Sequence, residues 1–310
     1  MPAERAPCYA GFDLGGTELK YGLIDARGSL LHKAKIPSPA SLDDLLAALA
    51  SLWRELRAKC RGRIRACGFG FAGFFDLEKQ KIRSSPNYPC INDVALVPAL
   101  GKFIDVPFRI DNDANVAAFG EFEHGAGRGA QSLVLLTVGT GIGSGIILQG
   151  RLWHGRCGFA GELGHITVNP EGEICNCGNR GCLETEASAP KIIRNYRALT
   201  RSSEELTSRD IYERARAGDK KAVESFARSA YYLGIGLGIV INLLNPDRIL
   251  VGGGVSAAGK FLMAPAIAEA RRRSHRVSFG CCRISRASLG NDAGLIGAAA
   301  WAGAGLDDRG

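Results

Sequence analysis

Two segments of this chain, more than a hundred residues apart, carry one pattern: an apolar strand, a glycine- and threonine-rich turn, and a second apolar strand. The first is Gly11-Phe12-Asp13-Leu14-Gly15-Gly16-Thr17-Glu18-Leu19-Lys20-Tyr21-Gly22-Leu23-Ile24-Asp25. The second runs from Leu133 to Leu148 through Gly139-Thr140-Gly141-Ile142-Gly143. Alternating apolar residues after each turn predict a hairpin. Glycine lets backbone N–H groups approach an anion, and a threonine hydroxyl adds a donor. Gly-Gly turns also occur in hairpins that bind nothing, so either segment alone says little. Together they imply two similar α/β lobes facing one nucleotide. Asp13, acidic beside the expected phosphates, makes sense only with a cation between them, and Mg²⁺ on a nucleotide is the natural one. A third cluster, Ile249-Leu250-Val251-Gly252-Gly253-Gly254-Val255-Ser256, reads as a buried strand that opens into a helix, with room for a base or ribose against its backbone. None of these has the spacing of a P-loop or of the dinucleotide fingerprint.

A second signal lies in Gly161-Glu162-Leu163-Gly164-His165 and Cys175-Asn176-Cys177-Gly178-Asn179-Arg180-Gly181-Cys182-Leu183-Glu184. One histidine and three cysteines make a full tetrahedral set for zinc, with no position left for water, so the metal would be structural. Glu162 and Glu184 stand beside that knot with their carboxylates free. The plain alternatives are a zinc loop that only staples a long connection, or a cluster of thiols without metal. Between the hairpins lies Phe108-Arg109-Ile110-Asp111-Asn112-Asp113-Ala114-Asn115, a short strand running into a helix. Asp113 sits where helix N-caps favour aspartate. It is also a carboxylate at a strand–helix junction, ready to take a proton from an alcohol.

The motifs DLGGT, NDAN, TGIGSG, AGELGH and CNCGNRGCLE occur here in the order found in the ROK family of sugar kinases and sugar-responsive repressors, which the chain resembles from about Gly11 to about Ala300. Within that family it is most similar to the bacterial glucokinases. The resemblance implies an actin-like ATPase (ribonuclease H-like) α/β fold, two lobes around a cleft where ATP and sugar meet. Residues 1–113, completed by 290–310, would form the small lobe, and 114–289 the large lobe with the zinc segment.

By the same resemblance, Asp13, Gly15, Gly16 and Thr17 would cradle the phosphates, with Asp13 reaching Mg²⁺. Gly139, Thr140, Gly141 and Gly143 would form the second phosphate turn, and Gly253 and Gly254 the adenosine wall. Gly73, Asn112, Asp113, Glu162, His165 and Glu184 would line the sugar, with Asp113 as catalytic base. His165, Cys175, Cys177 and Cys182 would ligate structural Zn²⁺. Sugar hydroxyls both donate and accept, so carboxylates, an amide and an imidazole suit them. A zinc-bound histidine is fixed in orientation, which explains why the metal knot and the sugar site share a residue.

The implied reaction is ATP-dependent phosphorylation of a hexose at the 6-hydroxyl, most simply glucose. N-acetylmannosamine, N-acetylglucosamine, mannose, fructose or a polyphosphate donor are the alternatives within the class. Two departures bear on that choice. Ala72 stands where the family commonly has proline, and Pro86-Asn87-Tyr88-Pro89-Cys90-Ile91 begins like a familiar glucokinase segment but lacks its Gly-Trp ending. A ROK repressor would carry a winged-helix segment ahead of the first strand, and only roughly seven residues precede it here.

The remaining expectations come from composition. Forty-six per cent hydrophobic residues can fill one large core or two medium ones, with aliphatic side chains dominating because only 7% are aromatic. A net charge of +8 is spread thinly, which suits an anionic nucleotide and gives no call for nucleic acid. Ten cysteines without a signal peptide fit a reducing cytoplasm. The most apolar stretch, Leu233 to Leu244, is too short for a membrane span. Helices are expected at 42–59, after Asp113, across 190–244 with breaks near Thr207 and Gly218, and at 292–302. A homodimer or homotetramer is implied by resemblance alone.

Overall fold

The computed structural model describes residues 6–85 and 88–307; of the Pro86–Ile91 segment, Pro86 and Asn87 lie outside the described residues. Strands β1 (Pro7–Leu14), β2 (Glu18–Asp25) and β3 (Leu30–Pro37) form a meander. Helix α1 (Leu42–Lys59) follows, with the bounds its apolar spacing predicts. Ser41 caps it by accepting the Asp44 N–H, acidic residues fill its first turn and Arg57 and Lys59 its last. It buries Leu45, Leu49, Leu52, Trp53 and Leu56 on one face. Strand β4 (Arg63–Phe71), the small hairpin β5 (Phe74–Asp76) and β6 (Lys81–Ser84), helix α2 (Leu96–Leu100) and strand β7 (Phe108–Asn112) complete this part, and α3 (Asp113–His124) leads out of it.

The second half opens with β8 (Leu133–Val138), β9 (Ile142–Leu148) and β10 (Arg151–Leu152). After a long irregular segment come α4 (Leu183–Ala187), α5 (Ala189–Thr200), α6 (Ser208–Arg216) and α7 (Lys220–Leu244). The expected breaks fall where caps stand: Thr207 forms a capping box with Asp210, and Asp219 caps α7. Then follow β11 (Arg248–Gly252), α8 (Lys260–Arg273), α9 (Arg276–Cys281), β12 (Arg283–Arg286) and α10 (Ala293–Asp307). The third glycine cluster ends β11 as expected, but opens a 3₁₀ turn, Gly254–Ala258, ahead of α8.

Both sheets repeat one topology. The order β3-β2-β1-β4-β7 is antiparallel through β3, β2 and β1, then parallel. The order β10-β9-β8-β11-β12 has the same division. Helix α10 lies on β1 and β4 of the first sheet, α3 on β8 and β9 of the second, and the two helices pack against each other between the sheets. Small residues permit this. A Cβ at Gly68 would stand 1.7 Å from Ala298 O, and one at Gly297 would stand 1.7 Å from Val116 O.

Helix α7 is longer than the apolar stretch read from sequence. By length and composition it could cross a bilayer, yet half of its most apolar window is buried, with α4, α5, α6 and α8 packed on it.

Candidate active site

Strand β7 ends and α3 begins at Asn112-Asp113. The cap is Asn112, not Asp113: its side-chain oxygen accepts the N–H of Ala114 at 2.8 Å and of Asn115 at 3.2 Å. Asp113 is the first helical residue, so its carboxylate serves no cap, although one oxygen accepts the Ala114 N–H at 2.9 Å. Burial and the neighbouring Asp13 carboxylate, with a smaller push from Glu162, raise Asp113 to about 6. A carboxylate poised there is a proton acceptor near neutral pH. The Asn112 amide donates to Gly73 O at 3.0 Å, which joins two expected sugar-side residues and leaves one amide hydrogen for a ligand.

Asp13 stands on β1 opposite Lys20 of β2 and in register with Gly70 of β4. Lys20 Nζ lies 3.3 Å from Asp13 Oδ2 and donates to Asn291 O at 3.1 Å. Burial still holds the Asp13 carboxyl above its usual range, against the pull of Lys20. The turn Gly15–Thr17 is closed by Gly15 N–H to Glu18 O, and Ser38 fastens it from β3's end through Gly15 O at 2.7 Å and Thr17 O at 2.9 Å. Gly16 and Thr17 are exposed at its tip. In the second hairpin Gly139 N–H donates to Gly141 O, and Gly143 backs onto Ala114 beside Asp113. Thr140 is exposed at that tip.

Gly253 shows why one glycine of the third cluster is required. Its φ is +79° and a Cβ would stand 2.4 Å from Val138 O, whereas a Cβ at Gly254 would meet no atom within 4 Å. Gly253→Ala is therefore expected to cost about 1–3 kcal/mol and several degrees in Tm, with Gly254→Ala close to the parent by calorimetry. Equal melting of the two variants would contradict this.

The four residues expected to ligate zinc converge. His165, Cys175, Cys177 and Cys182 place their ligand atoms within 4.8 Å of one another. Cys177 and Cys182 Sγ are 3.7 Å apart and His165 Nδ1 lies 3.6 Å from Cys175 Sγ. Zinc–sulfur bonds in a tetrahedron set ligands about 3.7 Å apart, so the residues present fit the ion. His165 turns its other nitrogen to Glu162, with Nε2 3.8 Å from Oε2. Glu184 accepts the Ile142 N–H at 2.8 Å, so a residue expected on the sugar also holds the second glycine turn.

Lys20, Ser38, Asp111 and His154 are site neighbours that the sequence reading missed. Lys20 was accessible to hairpin arithmetic, since a turn at Gly15–Thr17 sets it across from Asp13. The other three come from distant segments and leave no local signal. At the departure Ala72, the N–H that proline lacks donates to Leu14 O at 3.2 Å, tying the β4 end to the first hairpin.

Similarity to known proteins extends over nearly the whole chain. The ROK family model matches residues 9–304. A glucokinase of Halalkalibacterium halodurans is 36% identical, with 93% of each chain covered. The crystal structure of a ROK hexokinase from Thermus thermophilus superposes with a TM-score of 0.87 at 34% identity, covering 97% of this chain and 99% of that one. A ROK glucokinase from Streptomyces griseus, in complex with glucose and AMPPNP, gives 0.81 at 32% identity, covering 96% and 99%. Duplicated sheets, paired glycine turns and the His/Cys₃ knot thus occur together in a chain matched almost end to end, and this chain belongs to the ROK family, with its actin-like two-lobed α/β fold.

Proposed function

We propose that this chain is an ATP-dependent sugar kinase that transfers the terminal phosphoryl group of ATP to the 6-hydroxyl of glucose. The observation that carries the proposal is Asp113, a buried carboxylate raised to about 6, close enough to the Asp13 and Glu162 carboxylates for both to push it up. Phosphoryl transfer needs positioning, charge neutralisation and a base. Backbone N–H groups of the Gly15–Thr17 and Gly139–Gly143 turns would hold the phosphates, and Gly253 and Gly254 would face the adenosine. Gly73, Asn112, Glu162, His165 and Glu184 would orient the sugar. Asp113 would take the hydroxyl proton as that oxygen attacks phosphorus. Asp13 would hold Mg²⁺, which supplies charge neutralisation on the phosphates. His165, Cys175, Cys177 and Cys182 would hold Zn²⁺, which supplies rigidity.

Residues 1–113 with 290–310, and 114–289, would act as the two lobes, closing on the sugar to exclude water. Ten cysteines, three of them set with His165 for zinc, support a reducing cytoplasm. A homodimer or homotetramer is part of the same proposal, and so is a working life without nucleic acid or membrane partners.

The test is a coupled ADP-release assay over hexoses and N-acetylhexosamines, with ATP and polyphosphate as donors. Glucose with ATP is expected to give the highest kcat/KM. A higher value on N-acetylmannosamine, N-acetylglucosamine, mannose or fructose keeps the mechanism and moves the substrate, a shift that Ala72 beside the sugar side would explain. A protein that phosphorylates no sugar overturns the proposal.

A further inference from the structure

The connection from β10 to Glu162 begins on the second sheet and reaches the first. Residues 154–161 cross to the small hairpin of β5 and β6, which is a sheet of its own: Cys157 O accepts the Leu77 N–H at 3.2 Å, and the Phe159 and Phe74 rings meet edge to face at 5.8 Å. The loop then closes on itself through Ala160 N–H to His154 O at 3.1 Å, and Ser144 holds Gly161 O just before Glu162. At its start, His154 Nε2 lies 2.6 Å from Asp111 Oδ2. That carboxylate is 4% exposed. Its other oxygen accepts the Asn112 N–H at 2.7 Å and the Asn115 side-chain amide at 2.9 Å.

We propose that His154 and Asp111 form a clasp that fixes the catalytic turn and the loop bearing Glu162 relative to each other, which makes both positioning residues for the phosphoryl transfer. The inference rests on the sugar-kinase reading above. One oxygen of Asp111 sets the peptide that carries Asn112 and Asp113; the other holds the strap that delivers Glu162. A single buried carboxylate therefore sits between the base and a sugar contact contributed by the opposite sheet. Stability alone is a poor reason for such a pair. Desolvation offsets much of the attraction between buried charges, and apolar residues of equal volume are often as stable. What the pair supplies is orientation. Burial would by itself lower His154, but the hydrogen bond and charge of Asp111 outweigh it, and Arg109 opposes them only in part, so the imidazole is held above its ordinary range. Trp301 of α10 stands against the ring at 5.9 Å and limits where it can turn.

The test compares the full-length wild type with His154→Leu, which keeps the volume and loses the donor, and His154→Gln, whose amide reaches the Nε2 position. The expected result is a loss on the order of 10²-fold in kcat/KM for the sugar in His154→Leu, with KM for ATP little changed, since misplacement by about 1 Å costs that much. His154→Gln should recover most of it. If His154→Leu does not fold, His154→Asn, polar but too short to reach Asp111, takes its place with the same expected loss. Sugar kinetics unchanged in the donorless variant, or a loss shared equally by ATP and not recovered by glutamine, would overturn the clasp. A wild type inactive on every sugar would instead overturn the proposed function, so the two failures are told apart by the unmodified protein.

Discussion

Asp113→Asn is expected to lower kcat by roughly 10²–10⁴-fold while leaving sugar affinity largely intact. The amide keeps the oxygen that accepts the Ala114 N–H, so the start of α3 should hold, and only the proton acceptor is lost. The pH dependence follows from the same group. A base raised to about 6 works when ionised, so kcat/KM for the wild type should rise as pH increases through about 6 and level off above it. Stability runs the other way. The folded carboxyl holds its proton more tightly than the unfolded one, so ionising it costs stability as pH rises from about 4 through about 6. Asp113→Asn removes that cost. It should melt higher than the wild type at pH 7–8, and the difference should shrink on acidification towards pH 4. A variant that keeps most of its turnover would exclude Asp113 as the base. A variant no more stable than wild type at pH 8 would show that neither burial nor the Asp13 and Glu162 carboxylates press on its charge.

That opposition between activity and stability marks where sequence reasoning stops. The duplicated hairpins, the α1 bounds, the breaks at Thr207 and Gly218 and the His/Cys₃ set were all legible, because each rests on local chemistry: turn glycines, caps, apolar period, ligand spacing. The cap at α3 was misassigned by one residue. Asn and Asp cap equally well, and only the backbone angles choose between Asn112 and Asp113. The 3₁₀ turn after Gly253 was hidden for a similar reason, since a strand running into glycines does not state how the next helix starts. The Asp111–His154 pair was out of reach altogether. It joins β7 to the loop after β10, and residues that meet only when two sheets pack leave no periodicity to find.

The second large effect is expected from Cys182→Ser. Cys182 is fully buried, faces Cys177 across the knot, and forms the N-cap of α4, which carries Glu184. Wild-type protein should bind roughly one zinc per chain, and the variant far less, because serine is a poor ligand where thiolate is required. Without the ion both ends of the segment would be freed. His165 would no longer be held with Nε2 towards Glu162, and Glu184 would loosen its hold on the Ile142 N–H. Sugar kcat/KM should fall about 10²-fold or more, by the same misplacement cost. KM for ATP should rise by a smaller factor, since the second glycine turn keeps its own closure from Gly139 to Gly141. Metal analysis and sugar titration calorimetry on the same samples separate the two claims. Folded, active wild type without zinc would remove the metal from the account. Zinc lost with sugar affinity unchanged would leave the knot as a staple of the chain and detach it from the sugar site, because the contacts that join the two among the described residues run through His165 and Glu184.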